Sequence, residues 1–200
     1  MEKKSEIIEN FKVAISSTVK SLSNLEDIEI AFGSQNYDSK KNLIKLPEPE
    51  QIKNKINYNQ IRAIADSKSL RLRLSDSATL KVHEPKGNIS KKLYQIAEKI
   101  RCEKLGSDQF KGVKNNIANY YKERMNALDL KNSEEKIAES FENYLRVKFF
   151  NFKNNKQLEE KLKTYKKDLD KNFKRKIDEL TNLMNDQEKF NNLISNLISN

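Results

Sequence analysis

The sequence predicts a mainly α fold of α+β class, an elongated multi-helix bundle with one small β-hairpin, and three observations carry this. Apolar residues recur at spacings of three and four almost from end to end, as amphipathic helices require. Only four glycines and three prolines interrupt 200 residues, so breaks are few and helices long. One stretch, 27–46, changes its period to two, the spacing of half-buried strands. The expected organisation is a helical core domain over 1–150, with the hairpin near 27–46. Residues 151–200 then supply a long helix and a short one that pack on that core or extend from it.

Taken in order, Ile7, Ile8, Phe11, Ala14, Ile15, Val19 and Leu22 form one stripe and predict a helix over 5–22. Ile28, Ile30 and Phe32 alternate with polar residues, and Leu43 to Leu46 follow after the polar stretch SQNYDSKKN, giving the two strands of the hairpin. Pro47 and Pro49 hold the next residues extended and end the second strand. Helical spacing resumes near Tyr58 and runs to Leu74 or as far as Val82, where Pro85 and Gly87 close the unit. Asn88 or Ser90 is placed to cap a helix carrying Leu93, Ile96, Ala97, Ile100 and Leu105, with Gly106 as a left-handed C-terminal cap. Asp108 is placed to start a helix with Phe110, Val113, Ile117, Tyr120 and Tyr121. Asn132 and Glu135 have capping-box spacing ahead of Ile137, Phe141, Tyr144, Leu145 and Phe149. The longest predicted helix has Leu158, Leu162, Tyr165, Leu169, Phe173, Ile177, Leu180 and Met184 on one face, its heptads joined by a stutter. Asp186 is placed to cap a last helix with Phe190, Leu193, Ile194, Leu197 and Ile198.

A mean hydropathy of −0.87 makes the chain polar for a globular protein. The net charge of +10 suggests an anionic partner, but 32 of the 39 cations are Lys and only 7 are Arg. Arg is the residue suited to bidentate phosphate and base contacts, so a solvated lysine surface competes with a nucleic-acid role. The segment 153–176 concentrates the excess, with ten basic and four acidic residues. It reads as a solvated outer face or as a dock for an acidic partner. Its aromatics, Tyr165 and Phe173, lie in the apolar stripe rather than free to stack on bases.

Cys102 is the only cysteine, which excludes an internal disulfide and CxxC metal sites. No apolar run reaches a membrane span and the N-terminus lacks an apolar signal segment, so a cytoplasmic protein is expected. No glycine-rich loop followed by Lys and Ser or Thr is present, and the chain is not expected to hydrolyse ATP alone. His83 reads as a loop histidine beside Pro85, and Cys102 as a half-buried, inert thiol. Glu98 and Arg101 read as a helical ion pair along one face. Asp66, Arg71, Arg73 and Asp76 surround the alternating LRLRL and read as a structural charge network or as a contact surface for another subunit. No catalytic, cofactor-binding or metal-binding residue is assigned. On residue chemistry alone, a basic nucleic-acid-binding or generic protein-interaction domain remains open.

Glu98, Arg101, Glu103, Gly106, Gly112 and Asn116 keep a fixed rhythm through 93–116, behind IRAIADSKSLRLRLSD (61–76) and the LPEP of 46–49. With FKVAISSTVKSLS and IEIAF before them and DLDKNFKRKIDELTNLMNDQEKFNNLISNLI after, the order and spacing resemble the N-terminal region of the CobT-type subunit of aerobic, ATP-dependent cobaltochelatase. The resemblance implies a component of a ligase that forms a nitrogen–metal bond, inserting Co2+ into hydrogenobyrinic acid a,c-diamide in cobalamin biosynthesis. It implies an accessory role in assembly and coupling, with no catalysis by this chain alone. The implied partners are an AAA+ ATPase subunit, which uses ATP and Mg2+, and a large corrin-binding subunit, joined in an oligomeric complex without nucleic acid or membrane. No cofactor is expected on this chain. Family members continue into an acidic linker and a von Willebrand A-like domain, and this sequence stops before both. It departs from the family pattern at Ser75-Asp76, where His-Asp is usual, and at Leu80, where a second histidine is usual.

Overall fold

The structure, a computed structural model, describes residues 2–33, 43–49, 51–52, 55–126, 133–154 and 156–199. Among these residues the chain runs α1 (Glu2–Ser23), β1 (Glu29–Phe32), β2 (Leu43–Leu46), β3 (Gln51–Ile52), β4 (Lys55–Ile56), α2 (Tyr58–Leu74), α3 (Ser77–Val82) and α4 (Asn88–Gln109). It continues with α5 (Lys111–Asn126), α6 (Ser133–Phe150), α7 (Lys156–Phe173), α8 (Ile177–Asn182) and α9 (Gln187–Ser199), and a 3-10 turn at Lys174–Lys176 separates α7 from α8. The mainly α class with a small β part is therefore what the chain adopts.

The expected hairpin is corrected. β1 and β2 pair in parallel, from Glu29 opposite Leu43 to Phe32 opposite Leu46. In β2 alternation reports which side chains face inward, Ile44 and Leu46, but it is blind to strand direction; in β1 the buried residue is Ala31, between Ile30 and Phe32 of the expected stripe, which are half-buried. The polar stretch 34–42 lies outside the described residues. The antiparallel pair comes later, where Gln51 faces Ile56 and Ile52 faces Lys55.

Four further expectations change. The 158–184 helix is broken by a 3-10 turn at Lys174–Lys176 and ends at Asn182, breaks that the three-and-four spacing of its apolar residues does not reveal. Gly106 is not a left-handed cap but lies inside α4, and a Cβ there would sit 2.4 Å from both Leu70 methyl carbons. Its role is close helix approach; the left-handed residues that end α1 and α6 are Asn24 and Asn151. Gly87, at φ 93°, occupies the N-cap of α4 in place of Asn88 or Ser90. The break between α4 and α5 falls at Phe110, so Asp108 belongs to α4. Asn132 of the expected capping box lies outside the described residues. Asp186 caps α9 as expected, its Oδ1 accepting from Lys189 N at 3.1 Å.

Three apolar clusters organise the packing. The first joins Phe11, Ile15 and Val19 of α1 to Ile44 and Leu46 of β2 and Ile61 and Ala65 of α2. The second joins Leu22, Leu70 and Cys102 to Val113, Ile117 and Tyr121 of α5. The third brings Tyr94, Ala97 and Ile100 of α4 and Phe141 and Leu145 of α6 against Phe173, Leu180, Phe190 and Ile194 from the C-terminal helices. Helix α4 packs against α2, α5, α6 and α9. A helix surrounded in this way buries some of its charges along with its apolar stripe, here Glu98, Arg101 and Glu103.

Candidate functional site

Of the seven positions of α4 from Ala97 to Glu103 all but Lys99 are buried, and three of the buried ones, Glu98, Arg101 and Glu103, carry charged side chains. Glu98 is 0% and Arg101 2% exposed. A charge at such depth must be paired. The Arg101 fork gives Nε to Glu98 Oε2 at 2.9 Å and Nη2 to Glu98 Oε1 at 2.7 Å. Its remaining donors reach across the fold, Nη2 to Leu74 O at 2.5 Å and Nη1 to Met184 O at 2.8 Å. Arg101 thus ties the end of α2 and the turn after α8 to α4. Burial alone would disfavour its charge, but the hydrogen bonds and field of Glu98 hold its pKa above the ordinary value.

Glu103, one helical step on, anchors a second network. Its Oε1 accepts from Ser67 Oγ at 2.6 Å and its Oε2 from Arg146 Nη2 at 2.7 Å. Arg146 is also bonded to Glu142 Oε1, by Nη2 at 2.9 Å and Nε at 3.2 Å, and its guanidinium stacks over the Tyr121 ring. Glu142 takes Lys99 Nζ at 2.8 Å and Arg124 Nη1 at 3.1 Å, and Arg124 Nη2 continues to Glu139. Burial works against the Glu142 carboxylate, yet Lys99, Arg146 and Arg124 outweigh it and hold its pKa far below the carboxylate range. Burial prevails at Glu139 and raises its pKa. A third link joins α2 to α5, where Asn116 Nδ2 donates to Asp66 Oδ2 at 2.8 Å, and burial raises the pKa of Asp66.

The network meets the surface at a cavity of about 240 Å³ lined by Ser67, Lys68, Arg71, Lys99, Glu103 and Tyr120 among others. Chemically, carboxylates and guanidinium groups paired in this way fix helix register. Cys102 is fully buried rather than half-buried, and burial followed by the field of Glu98 pushes its thiol far above the usual range. A thiol in that state is a poor nucleophile.

The charges around LRLRL are not brought together. Asp66 turns inward to Asn116, Arg71 is half-buried, and Arg73 points to solvent. Asp76 caps α3 through Thr79 N at 2.7 Å, and its backbone N donates to Gln187 Oε1 at 2.8 Å. His83 sits at the C-terminal end of α3, half-buried. Among the described residues, no group of three or more His, Cys, Asp or Glu is placed to hold a metal ion. The α6 members, Glu142 and Arg146, escaped the sequence reading. Their signal was that positions 138, 142, 145 and 149 form one row of the helix, so an acid stood in the apolar stripe with its base at i+4.

Of the six residues whose rhythm carried the resemblance, Glu98, Arg101, Glu103 and Asn116 are members of this interior, and Gly106 seats α4 on Leu70. The family described as Cobalamin biosynthesis protein CobT matches residues 5–200. The chain belongs to the CobT family. Membership places it in cobalamin biosynthesis and associates it with cobaltochelatase. No solved structure matches this CobT chain. Among its described residues, no helix is long and apolar enough to cross a membrane.

Proposed function

We propose that this CobT chain is a non-catalytic assembly and coupling region of the cobaltochelatase, working in the cytoplasm. In this reading it joins an AAA+ ATPase subunit to a large corrin-binding subunit. Those partners use ATP and Mg2+ and insert the substrate Co2+ into hydrogenobyrinic acid a,c-diamide. The observation that carries the reading is the span of Arg101, which joins backbone carbonyls at Leu74 and Met184 to Glu98 on the central helix. Displacement of one part of such a body moves the others with it, and a subunit that relays ATP-driven motion needs that property. Its buried ionic groups support the same reading, because Glu98 with Arg101 and Glu103 and Glu142 with Arg146 are paired with one another.

The test uses the full chain with each purified partner subunit in pull-downs, followed by reconstitution of cobalt insertion. The chain is expected to bind at least one subunit and to be required for insertion, without turning over ATP by itself. Binding to neither subunit, or insertion at full rate without it, would remove the coupling role.

A further inference from the structure

Arg146 forms part of the wall of a cavity of about 310 Å³ between α5, α6 and the start of α7. The side chain is 1% exposed, and its Nε and Nη2 are committed to Glu142 and Glu103. Its Nη1 is buried as well and makes no hydrogen bond. A guanidinium nitrogen held at that depth without an acceptor costs free energy, more than a neutral donor would. Two N–H groups of a permanent cation are therefore unmet beside a cavity, and an anionic oxygen is the partner that suits them best.

The rest of the wall has the same sign. Lys122 and Lys153 line the cavity, and neither is in an ion pair with a described residue. Among the described residues no Asp or Glu lines it. Glu103 and Glu142 stand behind the fork, their charge met by Nε and Nη2. Between the cations the wall is apolar, with Met125, Phe152 and Leu158. A bare ion would leave that surface uncovered, and a volume near the lower end for ligand pockets suits a small organic molecule. Residues 151–154 belong to neither helix nor strand, so Phe152 and Lys153 are the part of the wall that can yield to let a ligand reach Nη1.

We infer that this cavity binds a small organic anion, a carboxylate or phosphate group on an apolar body. The charged oxygens accept from Arg146 Nη1, Lys122 and Lys153 hold them at the rim, and Met125, Phe152 and Leu158 cover the apolar part. The inference goes beyond the cobaltochelatase reading and does not depend on it.

The test is isothermal titration calorimetry of the full chain with phenyl phosphate, phenylacetate, inorganic phosphate and benzyl alcohol. At least one of the two aromatic anions is expected to bind saturably and to shift the Arg146 side-chain resonances, and the tighter one assigns the head group. Inorganic phosphate should bind at least about tenfold more weakly for want of an apolar body, and benzyl alcohol, which has no charge, should not saturate. The exposed pair Lys122→Ala with Lys153→Ala should weaken binding about fivefold with the melting temperature kept. Ala118→Leu, which fills the cavity from α5, should abolish binding; should it fail to fold, the lysine pair decides. No saturable binding of either aromatic anion, equal binding of benzyl alcohol or inorganic phosphate, unmoved Arg146 resonances, or full binding by the folded variants would overturn the site.

Discussion

Replacing Arg101 with Met removes the fork while keeping much of the side chain's volume. It leaves the Glu98 carboxylate at 0% exposure without its cation, and it strips donors from Leu74 O and Met184 O. Breaking a buried pair from one side costs about 3–5 kcal/mol, because the surviving charge stays desolvated. That is a large share of a total stability of about 5–15 kcal/mol. With an m-value of about 2–3 kcal/mol/M in urea, the midpoint should fall by about 1–2.5 M. Far-UV circular dichroism reads the titration, with tyrosine fluorescence as the second probe since the chain has no Trp. The double variant Glu98→Leu with Arg101→Met should recover much of the loss, because the charge that suffers is gone. A loss below about 1 kcal/mol for Arg101→Met, or a double variant as unstable as the two single losses added, would refute the buried-pair argument.

Other perturbations separate the remaining parts of the interior. Glu142→Gln should destabilise by about 3 kcal/mol at neutral pH, as Arg146, Arg124 and Lys99 lose their shared anion. The native pKa of Glu142 lies below its unfolded value, so its contribution is full above about pH 4.3 and fades as pH falls toward the native value. Urea midpoints of the two proteins should converge in acid; a gap independent of pH would contradict this. Asp66→Asn should act oppositely. Burial raises the Asp66 pKa, so its ionised form costs stability at neutral pH and that cost disappears below about pH 3.9. The Asn variant should match or exceed the parent at neutral pH and lose any advantage in acid, as melting curves across pH would read. Gly106→Ala should lose about 1–3 kcal/mol in a urea titration despite the better helix propensity of Ala, since the new Cβ strikes the buried Leu70 side chain. Cys102 should react with a thiol reagent only as fast as the protein opens, and at once in denaturant.

Helix positions were legible because burial imposes a period, and α1, α2 and α9 appear close to where their stripes begin and end. What failed were features that the period does not encode. Strand direction is one, because Ile44 and Leu46 face inward whichever way β2 runs. The break at Lys174–Lys176 is another. Gly106 shows a third kind of miss: its position near a helix end suggested a cap, while the cause lay 36 residues away in Leu70, a contact that no local pattern reveals. The site was half legible for a related reason. Glu98 and Arg101 are three apart and were readable as a pair, but their depth was not. Glu103 and Arg146 meet across 43 residues and only tertiary packing joins them.

The buried charges bear on why a chain so poor in apolar residues holds several helices in one arrangement. Apolar packing is non-directional and tolerates sliding by a turn, particularly where Leu and Ile recur at the same spacing on every helix. A guanidinium fork that must meet two carboxylate oxygens and two specific carbonyls tolerates almost none. Arg101 therefore selects one register among α2, α4 and the turn after α8, and Arg146 does the same for α4 against α6 through Glu103. Desolvation erodes the net stability such groups contribute, so uniqueness is the better account of them. It makes a distinct demand on the double variant described above: Glu98→Leu with Arg101→Met should regain midpoint while hydrogen exchange quickens around Leu74 and Met184. If exchange there stays as slow as in the parent, apolar packing alone sets the register and the fork is dispensable.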